Sequence, residues 1–395
     1  IAFAQEALKK ANIAYETNFE KACKVKANVE LVEFAIEKDV IDYVRDNFSN
    51  DIKDAIKKLA KSERAVELKE LAKSIAKNDY CTINEVEFKT IFEAVNIVKR
   101  ELVRAMIVNE KVRADGRGLK DVRPINIETN ILPSAHSSCL FTRGETQALV
   151  VGTIAGAKDG QMYEVLTDKS TSMENLMVHY NFPGFSVGEA KPIFSVGRRE
   201  LGHGNLAKKA LESTINKNFK DTFRIVSEIL ESNGSSSMAT VCGGSLALKA
   251  ANIPVSDLVA GVAMGMVVEG DKYSILTDIM GLEDHDGDMD FKVAGTSKGI
   301  TALQMDIKLG GIELNVLQEA LLQAKEGRVH ILNIMEEASK DIVSSPALPK
   351  IEEFEVDSSK MMVIIGKGGA TIKEIIEKYS VNIDLDRDNG VVKVS

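Results

Sequence analysis

Apolar side chains recur every three to four positions through the first hundred or so residues. Ile52, Ile56, Leu59 and Ala60 form one such stripe, and Ile91, Val95, Val98 and Leu102 form another. That spacing places each set on one face of a helix, with Lys and Glu on the others. No Pro or Gly interrupts residues 1–109, so the pattern predicts an all-helical region. It changes at Val112. The stretch KVRADGRGLKDVRPI brings Gly, Arg and Pro together, and apolar residues then alternate in INIETNIL and TQALVVGTIAG. That short period belongs to strands. A further strand is read in FRIVSEILESNG, with helices in NLAKKALESTINKNF, in SMATVCGGSLALKAANIP and from about Leu314 to Ser339. Runs of strands with helices gathered between them predict an α+β domain over about 110–345.

A Ser/Pro linker, SSPALPK, separates this domain from a small unit over 350–395. The small unit reads as strand, short helix, Gly-rich loop, helix and two strands. Its second helix places Ile372, Ile375, Ile376 and Tyr379 on one face, with Lys373, Glu374, Glu377 and Lys378 outside.

A chain of 395 residues with 44% apolar residues holds two or three domains with real cores and is not disordered. Its formal charge of −9 argues against a polyanionic partner. The distribution of that charge changes the picture. Residues 1–109 are balanced at 19 basic and 19 acidic, whereas 191–224 hold eight Lys/Arg against three acids. No apolar run is long enough to span a membrane, and the N-terminus IAFAQEALKKA lacks the basic flank and apolar stretch of a signal peptide. It starts without Met inside a helical pattern, as a piece of something longer would. Cys23, Cys81, Cys139 and Cys242 are too far apart for a zinc or C-x-x-C redox motif. They are expected to be buried, reduced thiols in a cytoplasmic protein.

Four stretches could carry chemistry. The acidic run 283–292 reads as a strand from Met289, with Met289, Phe291 and Val293 facing the core while Asp290 and Lys292 share the other face. Asp284, ahead of the Gly287 turn, could fold back beside Asp290. Paired carboxylates repel unless a cation joins them, and hard oxygen ligands suit Mg2+ or Mn2+. An EF-hand is excluded because Met289 and Gly295 stand where Gly and Glu are needed. A solvated acidic hairpin is the competing reading. Next, Asn233-Gly234-Ser235-Ser236-Ser237 precedes a helix, which offers an anion site for phosphate, with plain N-capping as the alternative. The third stretch, GRRELGHG, sets Arg198, Arg199 and His203 in a Gly-rich loop ahead of a helix, a place for a polyanion or simply an exposed basic face. Its loose G-x-G-x-x-A pattern is discounted as a dinucleotide site because no convincing βαβ unit surrounds it. Last, Gly366-Lys367-Gly368-Gly369 joins two helices as a GxxG loop does in KH modules, which clamp single-stranded nucleic acid.

LFTRGETQ, HYNFPGFSVGE, GRRELGHG, ESNGSSSMATVCGGSLAL and DHDGDMDFKVAGT, followed by IIGKGG, closely resemble the polynucleotide phosphorylase family. The resemblance implies three parts. Residues 1–109 would be the end of a first RNase PH-like domain and an all-helical domain. Residues 110–345 would be a second RNase PH-like catalytic domain of the ribosomal-protein-S5-domain-2-like fold, and 350–395 an incomplete KH domain. It also implies reversible 3′-to-5′ phosphorolysis of single-stranded RNA by inorganic phosphate in mRNA degradation, releasing nucleoside diphosphates. Asp284 and Asp290 would hold the metal and Lys292 would assist at the scissile phosphate. Ser235, Ser236 and Ser237, with Arg198 and Arg199, would bind phosphate. His203, Arg143 and the loop Gly366–Gly369 would contact RNA. Family members form trimeric rings, and RNA degradosome components are further implied partners. A non-catalytic RNA-binding subunit of an exosome-like ring is the alternative, but it predicts erosion of Asp284, Asp290 and Lys292, all of which are present. A single-domain tRNA-trimming enzyme predicts neither the helical region nor the KH unit.

Overall fold

The computed structural model describes residues 2–22, 36–58, 61–165, 167, 170–192, 195–387 and 389–395. Five helices come first: α1 (Ala2–Ala22), α2 (Lys38–Ile56), α3 (Lys61–Ile75), α4 (Asp79–Ile83) and α5 (Phe88–Ala105). Helix α1 buries no side chain. The others close on a core that includes Val44, Ile52, Ile56, Ile75, Ile91, Val95 and Val98, so Ile52 and Ile56 of the first stripe and Ile91, Val95 and Val98 of the second face inward. Leu59, Ala60 and Cys23 lie outside the described residues. Cys81, Cys139 and Cys242 are buried free thiols. The end of α5 widens into a π-turn over Met106–Glu110 and stops at Lys111, whose left-handed backbone redirects the chain.

Two sheets follow. Strands β1 (Ile125–Thr129), β2 (Ser137–Arg143) and β3 (Thr146–Ala155) form an antiparallel meander, and β4 (Gln161–Glu164) with β5 (Thr171–Glu174) forms a separate hairpin. Strand β6 (Leu176–Asn181), helix α6 (Arg198–Glu212) and strand β7 (Thr222–Glu231) make a parallel crossover, completing the order β1-β2-β3-β7-β6. After α7 (Ser236–Ala250) come β8 (Ala260–Glu269), β9 (Lys272–Thr277), α8 (Gly281–Asp286), β10 (Met289–Gly295) and β11 (Ile300–Ile307). These strands make an antiparallel sheet in the order β11-β10-β8-β9, backed by α9 (Leu314–Lys340). Helix α7 is buried almost all round between the two sheets, against β2, β3, β7 and β8. That burial explains why its sequence is apolar on every face. The bundle core does not end at residue 109. Ala263, Val267, Leu276, Ile279, Met280 and Leu282 of the second sheet and its loops belong to the same cluster.

Two sequence expectations need correction. A βαβ crossover does exist, because β6 and β7 are parallel neighbours. The Gly-rich stretch is not a loop before the helix but the first turns of α6 itself. Gly204 sits there because a Cβ would meet the Val178 carbonyl at 3.1 Å, so the helix lies close against β6. The glycines of the G-x-G-x-x-A pattern are therefore inside a helix, not at a phosphate-binding turn.

The C-terminal unit consists of β12 (Glu352–Glu355), α10 (Met361–Ile365), α11 (Ala370–Tyr379), β13 (Ile383–Asp386) and β14 (Val391–Val394), with sheet order β12-β14-β13. On α11, Ile372, Ile375 and Ile376 are half-buried, while Tyr379 stays exposed. Ion pairs join this unit to the larger domain: Lys158 to Asp384 at 2.6 Å, and Lys393 to Asp221.

Asp278, fully buried after β9, is the electrostatic centre of the α+β domain. Arg123 pairs with it at 2.8 Å, Arg143 at 2.9 Å and Arg117 at 3.4 Å. Burial alone would push this carboxyl up, but Arg123 and Arg143 hold it well below the usual carboxylate range. Its contribution to stability is therefore complete above its unfolded value of about 3.9 and is lost as pH falls below that. Asp278→Ala would strand buried guanidinium charge, and equilibrium urea unfolding should show a loss of about 3–5 kcal/mol.

Candidate active site

The site begins at the start of α7. Gly234 has φ +92°, and a Cβ there would strike the Gly281 amide at 2.7 Å, so only Gly lets the loop pass α8. Ser235 follows in the left-handed region, with φ 60° and ψ 36°. Its carbonyl accepts from Arg143 Nη2 at 2.8 Å, and Arg123 Nη1 donates to the Asn233 carbonyl at 2.9 Å. The arginines around Asp278 thus fix the loop from behind. The first turn of α7 has N–H groups with no intrahelical partner. Ser235 Oγ and Ser237 Oγ are buried without a hydrogen-bond partner, while Ser236 Oγ is 2.7 Å from the Tyr180 hydroxyl. Orphaned hydroxyls at a positive helix end are built to receive an anion.

Across from them, β10 presents Asp290 and Lys292 as an ion pair, while Met289, Phe291 and Val293 sit in the core, as the alternation predicts. Asp284 lies on the short helix α8. Burial raises the Asp290 carboxyl pKa, with Asp284 and Asp306 adding to the shift and Lys292 opposing it. Asp290 Oδ1 is buried with no partner. Two mutually repelling carboxylates, one with an orphaned oxygen, fit a hard divalent cation such as Mg2+ or Mn2+. Among the described residues no three His, Cys, Asp or Glu side chains converge on a metal position, so these two carboxylates would be its protein donors. The rest of the acidic run is not a solvated hairpin, because Glu283, Asp286 and Asp288 are buried.

Helix α6 supplies Arg199, whose guanidinium lies 5.6 Å from the Phe182 ring centre, and His203, whose imidazole meets the Tyr180 ring edge-on at 5.2 Å. Burial, followed by the charges of Lys292 and Arg199, pushes the His203 pKa down to about 4. Its Nδ1 is buried and unpartnered.

All these groups line one cleft of about 680 Å³, which Ser235, Ser236, Ser237, Asp284, Asp290, Lys292, Arg199 and His203 share. Arg198 and the Gly366–Gly369 loop lie outside that lining. Arg198 is exposed at the start of α6, and the loop is on the C-terminal unit, where Gly366, Gly368 and Gly369 all have positive φ. Arg143 is a correction. It is fully buried against Asp278 and the Ser235 carbonyl, so it cannot touch RNA and instead supports the serine loop.

Sequence reasoning missed the opposite wall. Arg64, Phe92, Asn96 and Lys99 reach the cleft from the helical region, and Lys308 from beyond β11. Lys308 Nζ donates to the carbonyls of Asp284 and His285 at 2.8 and 2.6 Å. In a helical stretch with balanced charge, nothing local separates Arg64 or Lys99 from solvated neighbours. Only the fold brings them here.

Three stretches of the chain match known protein families. Residues 39–118 match the family described as polyribonucleotide nucleotidyltransferase, RNA binding domain. Residues 121–254 match the 3′ exoribonuclease family, domain 1, and 351–395 match the KH domain. Polyribonucleotide nucleotidyltransferase of Aliarcobacter butzleri is 80% identical over all of this chain, which covers 54% of that protein. The proteins of the same name from Nitratiruptor sp. and Campylobacter lari are each 60% identical over all of this chain, which covers 54% and 56% of them. The chain thus spans about half the length of these curated relatives. Over that span, it belongs to the polyribonucleotide nucleotidyltransferase family.

Proposed function

We propose that this chain carries the active site of a metal-dependent 3′-to-5′ phosphorolytic exoribonuclease acting in mRNA degradation. Inorganic phosphate attacks the last phosphodiester of single-stranded RNA. A new P–O bond forms to the attacking phosphate, the bond to the 3′ oxygen breaks, and that oxygen takes up a proton. A nucleoside diphosphate leaves, and the reverse reaction extends RNA from diphosphates. One observation carries this reading: a built anion site and a carboxylate pair face each other across a single cleft.

The chemistry asks for two phosphates, which repel, to meet. Ser235, Ser236 and Ser237, with the free amides of α7, receive the attacking phosphate and hold it in line. Arg199 and Lys292 place positive charge against the RNA phosphate oxygens, and Lys308 adds to the field. His203 is neutral near pH 7, so it can hydrogen-bond RNA or phosphate without adding charge. Asp284 and Asp290 would hold the cation, which when bound would supply further neutralisation at the scissile phosphate. These charges are fixed before substrate arrives, which is electrostatic preorganisation. The Gly366–Gly369 loop, outside the cleft, grips the strand further from its 3′ end. Arg198, exposed beside the cleft, adds to the basic approach.

Asp290→Asn should cut diphosphate release from RNA in the presence of phosphate and Mg2+ by at least about a hundredfold, with RNA retention on a filter little changed. Diphosphate release at the wild-type rate would remove Asp290 from the mechanism, and monophosphate products from the wild-type chain would mean hydrolysis. His203 gives a second check. Its ring resonances should titrate with a midpoint of about 4 by NMR, leaving the imidazole uncharged throughout the neutral range.

A further inference from the structure

The acidic run 283–290 contains five carboxylates, and the structure sorts them. Glu283 is taken by Arg113, whose Nε donates to it at 2.6 Å and whose other nitrogens hold the Thr277 and Asp278 carbonyls. Asp286 is paired with Lys99 of α5 at 3.0 Å, and both are nearly buried. Asp288 is gripped at both oxygens by Arg104 of α5, at 2.9 and 2.8 Å, and also accepts from the Val268 amide. Arg104 reaches the Asp286 carbonyl as well, at 3.0 Å. The two carboxylates that these cations leave alone are Asp284 and Asp290, the pair in the cleft.

We infer that Lys99 and Arg104 of the helical region are positioning residues that fix α8 and so set the geometry of the Asp284–Asp290 cation site. The inference rests on the metal reading proposed above. Helix α8 has only six residues, too few to hold a shape by its own hydrogen bonds. It carries Asp284 toward a second carboxylate that repels it, so something else must keep it there. Asp286, two residues beyond Asp284, is anchored to α5, and Asp288, two residues further along the chain, is anchored there as well. If either cation is removed, a buried carboxylate is stranded, and the end of α8 just after Asp284 loses an anchor, which lets Asp284 shift out of register.

The direction of the effect separates positioning from plain electrostatics. Deleting a positive charge near a cation site tightens cation binding if the carboxylates stay in place, and loosens it if they move. The probe is Mn2+ alone, titrated into the full chain and followed by the electron paramagnetic resonance of the free ion, with circular dichroism to verify folding. Lys99→Met and Arg104→Met should each weaken Mn2+ binding by about tenfold or more, as the loss of an outer-shell partner does. Lys298→Met, which breaks an ion pair with Asp257 outside the cleft lining, should leave it unchanged. Arg104 does not line the cleft, so it decides the matter should Lys99→Met fail to fold. Unchanged or tighter Mn2+ binding in a folded Lys99→Met or Arg104→Met chain overturns the clamp alone. Absence of Mn2+ binding by the wild-type chain overturns the metal reading and takes the clamp down with it.

Discussion

Everything in the cleft depends on one buried carboxylate and the arginines around it. Asp278 gathers Arg117, Arg123 and Arg143 from three successive parts of the chain. Their spare donors hold the carbonyls of Asn233 and Ser235. A loop with two consecutive left-handed residues, one of them not glycine, is costly unless its surroundings enforce it. Here the enforcement is electrostatic and comes from inside the protein, so the outward face of the loop is left for an anion. Arg113 extends the network by holding both the Asp278 carbonyl and Glu283 of α8. The serine loop and the acidic helix are thereby referred to one origin.

The same logic resolves the overall charge. An acidic chain can still bind polyanions when its carboxylates are internally neutralised where they are structural and left open where they are functional. Glu283, Asp286 and Asp288 disappear into pairs away from the cleft lining, whereas Asp284 and Asp290 line the cleft, Asp290 paired there with Lys292 through one oxygen only. On the phosphate side, Arg199, Lys292 and Lys308 keep their charge near the cleft wall. Net charge carries no trace of this arrangement.

Much of the fold was legible because local period and burial agree. The strand at 289–295, the helices at 236–250 and 314–340 and the order of the C-terminal unit all follow from spacing and glycine placement. The misreadings have physical causes. Gly202 and Gly204 look like loop residues but lie in α6; at Gly204, close packing on β6 favours a missing side chain over helix propensity. Arg143 looks like a surface cation in a Gly-flanked stretch, and no local signal reveals a buried aspartate 135 positions later in the chain. Lys99 and Arg64 belong to a stretch whose charges balance, and only long-range packing tells a buried cation from a solvated neighbour.

The continuity of the helical bundle with the second sheet has a consequence for how such a protein can be taken apart. Sequence families divide the chain near residue 120, yet one apolar cluster runs from Val44 through Val98 to Leu276 and Leu282. Peeling the bundle away would expose the far side of the strands whose near side lies toward α7. The inherited modules and the cooperative folding unit are therefore different objects. A substitution that loosens the bundle reaches the cleft through shared apolar packing, and recombination at the module boundary would cut through a core.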